Sequence, residues 1–359
     1  MRVAIILTRP VFLGPSIVLG DMINSLSGTE SLTFDLYCIR EPEANETEFN
    51  HNWIKFRYKS FRFEDYDIIH TSGIQPDLIA FLYRKRIRYH LSTIHSLVSE
   101  EFILTRSRLF SFIFSNFWML LWKRADRLVC VSNTVKRYYS GRFSQAKLEV
   151  IYNGIPEEPV FQGCDEDVIT VVDKFRGKGL KVLGTAAILS KLKNTQLLLD
   201  LLAARSEFAC VIIGSGKELT NLKRLAAELG ISERVFFAGF RKEASNYFRY
   251  FDFFVTASLS EGFGLTVVEA AREKVPVLCS GISAFRELFT PDEVTFFEKN
   301  DVNSLFAALD MATRDGKEKA EAAFSVFKAK YTSRIMGEEY YDLYKKLCDN
   351  KSSQYQKIT

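Results

Sequence analysis

Two glutamates eight residues apart, Glu261 and Glu269, bracket a glycine-rich turn in LSEGFGLTVVEA, residues 259–270. The apolar run before it, FFVTAS, reads as a strand, and LTVVEAAREK reads as the helix that follows. The turn therefore falls at a helix N-terminus, where unpaired N–H groups and a partial positive charge suit an anion. Gly262 and Gly264 allow close backbone approach to a ligand. Two carboxylates would then flank an anion cradle. A ligand-free reading fits as well: Thr266 and Glu269 match the S/T-x-x-E capping box. Spacing alone leaves both open.

Other motifs narrow the chemistry by exclusion. VIIGSGKEL has a GxG after a strand, but Val211 stands where a Walker A loop needs its first glycine, and Glu218 follows Lys217 where Ser or Thr is required. The first strand leads into TRPVFLGPSIVLG rather than GxGxxG, which speaks against a dinucleotide-dependent dehydrogenase. Asp65 and Asp67 form a D-x-D at the amino end of a strand, where turn acids in solvent are the plainer reading. The four histidines show no metal spacing, although His95 ends a strand in STIHS. No metal site is expected.

The elements that must position these residues are short apolar runs alternating with helix-length stretches. Twelve runs read as strands: 3–8, 33–39, 67–73, 89–95, 127–132 and 149–155 in the first half, then 181–189, 209–216, 234–240, 253–258, 276–281 and 294–298. Most are apolar throughout, as in parallel strands buried on both faces. The α/β alternation occurs twice, so the expected fold class is α/β with two Rossmann-like doubly wound domains facing across a cleft. The break falls between Asn153 and Gly179. The expected domains are 1–160 and 161–334, with a C-terminal helix at about 335–350 packing back onto the first.

At 359 residues the chain is too long for one ordinary core, and 47% hydrophobic content with no apolar stretch of about 18 residues fits a soluble globular protein. Six scattered cysteines without a CxxC pair, and an N-terminal apolar run of only five residues, point to the cytoplasm. The net charge of +4 conceals an asymmetry: residues 84–147 carry thirteen Lys and Arg against three acids. Within that region LFSFIFSNFWMLLW, residues 109–122, is either a core helix or a face leaning into an anionic membrane interface. Nucleic acid is not expected, because no binding motif accompanies the charge.

In order along the chain, DIIHTSGIQPD, STIHSL, ADRLVCVSNTVK, VIYNGI, LSKLKN, the run from VIIGSGKEL to FFAGF, and SEGFGLTVVEAA resemble the family 4 glycosyltransferases, retaining enzymes of the GT-B fold. The last piece is similar to the family's E-x7-E signature. The resemblance implies a nucleoside-diphosphate sugar donor held mainly by the second domain, and no cofactor or metal. Glu261 would accept from donor sugar hydroxyls, and backbone N–H groups from Gly262 and Phe263 through Gly264, Leu265 and Thr266 would hold the sugar and diphosphate. Glu269 would accept from the ribose. Lys193 would neutralise the departing diphosphate, His95 would lie by the sugar ring, Gly14 would let the first loop approach the diphosphate, and the base would lie near Phe240 and Arg241. Two positions depart from the pattern: Ile188 stands where the family often has an arginine, and Gly14 is followed by Pro15 rather than a second glycine. The implied activity is hexosyl transfer to a glycan or lipid-linked acceptor in O-antigen or capsule assembly, at the inner face of the membrane. The alternatives are a GT-B-like nucleotide-sugar epimerase or phosphorylase, and an idle nucleotide-sugar-binding protein.

Overall fold

A computed structural model describes residues 1–11, 13–43, 51–100, 107–159 and 165–355, with side chains to residue 349. The chain forms two compact units. One runs from Met1 to Ile155 and resumes at Tyr331; the other is Pro156–Lys330.

The first unit holds a seven-stranded parallel sheet of β1 (Arg2–Leu7), β2 (Thr33–Cys38), β3 (Ile54–Lys55), β4 (Ile68–Ser72), β5 (Tyr89–Ile94), β6 (Arg127–Cys130) and β7 (Leu148–Val150). Its order is β3-β2-β1-β4-β5-β6-β7, with the topological switch between β1 and β4. Helices α1 (Gly14–Ser25), α2 (Ile74–Leu82), α3 (Arg108–Trp122) and α4 (Asn133–Ser140) connect the strands. Each of the twelve apolar runs overlaps a strand. β3 was not among them, because two residues are too few to show a period.

β4 and β5 are buried along their whole length, yet carry His70, Thr71, Ser92 and Thr93. Buried polar groups need partners, and the C-terminal helix α11 (Ser333–Tyr355) supplies some of them. The Tyr344 hydroxyl lies 2.7 Å from His70 Nδ1, and the Tyr340 hydroxyl 3.0 Å from Thr93 Oγ1. His70 Nε2 and Thr93 Oγ1 are themselves 2.7 Å apart. The helix also packs along α1, and its Tyr341 hydroxyl meets Ser31 Oγ, in the turn before β2, at 2.9 Å.

The second unit holds a six-stranded parallel sheet of β8 (Lys181–Ala186), β9 (Phe208–Ile213), β10 (Val235–Gly239), β11 (Phe253–Thr256), β12 (Val277–Ser280) and β13 (Thr295–Phe297), ordered β10-β9-β8-β11-β12-β13. Its helices are α5 (Glu166–Gly177), α6 (Gln196–Ala204), α7 (Leu219–Glu228), α8 (Leu265–Arg272), α9 (Ser283–Leu288) and α10 (Val302–Lys330). The core joins the leucines of α6 to Cys210 and Ile212 of β9, Val255 of β11 and Leu305 and Leu309 of α10. Both units are thus Rossmann-like, with strand order reversing beside the first strand of each sheet.

Candidate functional site

In the second unit the loops at the carboxyl ends of β8 and β11 are laced together. Leu259 N–H donates to Leu192 O at 2.8 Å, which brings the loop after β8 against the loop after β11. Lys193 ends a short 3-10 turn, followed by Asn194 in left-handed geometry (φ 49°). Its Nζ donates to Glu261 Oε1 at 2.5 Å. Ser258, fully buried, donates to the same oxygen at 2.8 Å, and its own carbonyl accepts from Ser280 Oγ at 2.6 Å. Both hydrogen bonds to Glu261 fall on Oε1. Lys193 and Glu261, read from sequence as separate groups, form one ion pair with side chains 24% and 15% exposed. Ser258, which sequence reading missed, fixes the acid.

The glycines of GSGK serve this same loop packing. Gly214 has φ +130°, and a Cβ there would stand 1.9 Å from Ala187 O. The GxG therefore lets the β9 loop pass under the loop bearing Lys193. Ile188 on that loop is 58% exposed.

Helix α8 begins at Leu265 with Gly264 as its N-cap, at φ 112° and ψ 57°. A Cβ at Gly264 would lie 2.4 Å from Phe285 Cε1, so conformation and space both demand glycine. Thr266 is already inside the helix, and no side chain caps it. The Thr266–Glu269 capping box is therefore not formed: the left-handed glycine starts the helix earlier than that motif requires. Gly262 and Phe263 are buried, while Leu265 and Thr266 are half-buried at the uncapped first turn. Glu269 lies one turn along, half-buried. Desolvation pushes its carboxyl up to about 7, opposed by Arg272 and reinforced by Glu243 and Glu273. Phe240 is 43% exposed after β10, and Arg241 is engaged with Asp165 at 2.8 Å and Asp167 at 2.6 Å at the start of α5.

In the first unit a cavity of about 350 Å³ opens at the carboxyl ends of β1, β4 and β5. Thr8, Ser72, Thr93 and His95 line it with Trp118 and Trp122 of α3. Burial holds the His95 imidazole down at about 4, so it is neutral at pH 7, and its Nε2 has no hydrogen-bond partner. Gly14 is the first residue of α1, half-buried; its neighbours Leu13, Pro15 and Ser16 line the cavity. Among the described residues no group of three or more His, Cys, Asp or Glu could hold a metal ion. Asp67 accepts from Arg2 N at 2.9 Å and Arg88 Nη1 at 2.6 Å, a structural use of that acid.

The region 84–147 is less basic than its count. Arg84 pairs with Asp126, and Arg86 and Arg88 pair with Glu64 and Asp67, acids from outside the region. Glu101 and Arg106 lie outside the described residues. Helix α3 belongs wholly to neither sequence reading. It buries Ser111, Ser115, Met119, Leu121 and Trp122, but exposes Leu109, Phe110, Phe112, Ile113, Phe117 and Leu120. No helix among the described residues is long and apolar enough to cross a membrane.

Residues 39–158 match the family described as Glycosyltransferase Family 4, and residues 172–325 the family Glycosyl transferases group 1. The chain is 28% identical over 358 residues to the O-antigen biosynthesis glycosyltransferase WclY of Escherichia coli, covering 97% of this chain and 99% of that protein. It is 25% identical over 277 residues to the Escherichia coli UDP-Gal:alpha-D-GlcNAc-diphosphoundecaprenol alpha-1,3-galactosyltransferase, covering 72% and 69% of the two. The crystal structure of Anabaena HepE in complex with UDP and glucose superposes with a TM-score of 0.79 at 16% identity, over 96% of this chain and 99% of that one.

Proposed function

We propose that this chain, a glycosyltransferase of the family 4 type with the GT-B fold, is a retaining hexosyltransferase. It moves a sugar from a nucleoside-diphosphate donor to a glycan or lipid-linked acceptor, in the assembly of a cell-surface polysaccharide such as O-antigen or capsule. The observation that carries this reading is the Lys193–Glu261 pair set in one loop system with the uncapped start of α8. The full-length likeness to an O-antigen glycosyltransferase supports the pathway.

Transfer breaks the bond between the anomeric carbon and the diphosphate. Negative charge grows on the phosphate and positive charge on the sugar. A lysine and a row of helix N–H groups aimed at that phosphate stabilise the transition state more than the ground state. Lys193, held by Glu261, supplies the cation, and the first turn of α8 supplies the N–H groups. Glu261 accepts from sugar hydroxyls through Oε2, because Oε1 holds Lys193 and Ser258. Glu269 accepts from the ribose, His95 lies by the sugar ring, and the base sits near Phe240. The acceptor hydroxyl attacks from the face the diphosphate leaves, so no covalent nucleophile is needed. Metal is not required, since protein groups meet the diphosphate charge.

The exposed face of α3, with Arg108 at its start and Lys123 and Arg124 after its end, supports contact with an anionic membrane surface. Each large apolar side chain left in water forgoes roughly 1.5–3 kcal/mol of burial. On this reading the enzyme works at the inner face of the membrane, near a lipid-linked acceptor.

The test is nucleoside diphosphate release from a panel of nucleotide-sugars with extracted lipid-linked acceptors, and the anomeric configuration of the product by NMR. Sugar transfer with retention is expected. No release from any donor would sink the transferase reading; an inverted product would sink the retaining one.

A further inference from the structure

The deepest polar cluster of the first unit lies beneath the cavity wall. Asp77, in the first turn of α2, is buried and accepts four hydrogen bonds. Thr71 Oγ1 and Ser92 Oγ donate to Oδ1 at 2.5 and 2.8 Å; Trp118 Nε1 and Trp122 Nε1 donate to Oδ2 at 2.7 and 2.8 Å. A buried indole N–H needs an acceptor, and here one carboxylate serves two indoles. That N–H is the indole's one polar group. What Trp118 and Trp122 leave toward the cavity is apolar ring. Trp118 is the half-buried one of the two and lies within a row of aromatic contacts, Phe110 to Phe114 at 5.4 Å, Phe114 to Trp118 at 6.0 Å and Trp118 to Trp122 at 5.4 Å. Around the same space stand Thr8 and Ser72, and His95 with its Nε2 unpartnered; Thr93 also lines it, with its hydroxyl held by His70 and Tyr340.

Resting on the transferase reading, we propose that Trp118 is the platform on which the acceptor's terminal sugar stacks, and that Asp77 is a positioning residue that sets the plane of its ring. A pyranose has an apolar C–H face and a rim of hydroxyls. That matches a fixed aromatic plane beside the hydroxyl-bearing Thr8 and Ser72 and a neutral imidazole. A lipid tail in the same space would strand those polar groups without water.

The probes are alkyl diphosphates carrying N-acetylglucosamine, N-acetylgalactosamine or galactose, and the same alkyl diphosphate without sugar. Binding is followed calorimetrically and by indole fluorescence. Wild type is expected to hold at least one sugar-bearing probe more tightly than the bare one, by about tenfold, the size of one good aromatic contact. Trp118→Leu abolishes the difference and raises the acceptor KM, leaving the donor KM unchanged. Trp118→Phe, which keeps a ring, restores most of it. Asp77→Asn, whose amide oxygen still accepts from both indoles, stays near wild type, and Asp77→Leu behaves as Trp118→Leu. Should the leucine variants fail to fold, Trp118→Phe and the wild-type preference decide the matter. A wild type that transfers sugar yet shows no preference overturns the platform and leaves the transferase reading standing, as does a Trp118 variant that shifts donor and acceptor KM equally. A wild type that prefers the sugar-bearing probe but transfers nothing does the reverse.

Discussion

The carboxyl ends of the two sheets carry opposite kinds of chemistry. Those of the second unit are charged: Lys193 against Glu261, Glu269 one turn into α8, and Arg241 on Asp165 and Asp167. Those of the first are mostly uncharged: burial holds the His95 imidazole down at about 4, the residues around it are largely hydroxyl-bearing, apolar or indole side chains, and the one charged lining residue, Arg9, is paired with Glu43. A nucleoside diphosphate is an anion whose charge grows during transfer, while an acceptor sugar is neutral throughout. On the proposed reading, one backbone plan would serve two ligand classes by changing only what its strand ends carry.

The strongest way to break this contrast is at the charged end. Lys193→Ala and Glu261→Ala should each lower kcat by roughly 10²–10³-fold, as expected for removing a preorganised group facing developing charge. Unaltered circular dichroism would accompany the loss; full activity in either variant would remove that residue from the chemistry. At the neutral end His95→Ala should cost less, about tenfold in kcat/KM, the worth of one hydrogen bond. Because His95 titrates near 4, the pH–rate profile between about pH 6 and 8 should keep its shape in this variant; a lost inflection would show the imidazole to be charged in action.

Glu269 sharpens the contrast through pH. Its carboxyl is raised from 4.5 to about 7 by burial, so the folded state favours the proton. Stability of the ligand-free protein should then be highest below the unfolded value, decline as pH rises toward 7, and level off beyond. Donor affinity should move the other way across that window, because ribose hydroxyls need an ionised acceptor. Urea unfolding and nucleoside diphosphate binding against pH would show the two slopes, and Glu269→Gln should flatten both. Slopes of the same sign would refute the ribose role. The smallest effect on the fold belongs to α3. Phe112 is 68% and Ile113 59% exposed, so changing both to serine should alter stability by no more than about 0.5 kcal/mol. Flotation with anionic vesicles at low salt should nevertheless fall sharply; unchanged flotation would acquit this face.

Much of this was legible in sequence, for physical reasons. Buried parallel strands are continuous apolar runs, so twelve of the thirteen strands announce themselves, and only the two residues of β3 do not. The loops at their carboxyl ends could be named from Glu261, Lys193 and His95. The pairing of those groups could not. Lys193 and Glu261 are 68 residues apart in sequence and meet through a backbone bond between Leu259 and Leu192. Trp118 and Asp77 are separated by 41 residues, and an aromatic stripe by itself reads as core. The capping box failed because Gly264, not Thr266, is the N-cap of α8. Charge counting failed in part because Glu64 and Asp67 reach across from an earlier segment.

The return of α11 to the first unit has a consequence for synthesis. On the ribosome, the strands of the second unit and all of α10 are complete before any residue of α11 is made. The first unit, begun earlier, must wait: until Tyr340 and Tyr344 emerge, His70 and Thr93 have no hydroxyl from that side to meet them. Domains made from the N-terminus usually fold in that order. In this chain the middle can settle first while the earliest strands remain unfinished, so the first unit is completed only after the second has been made.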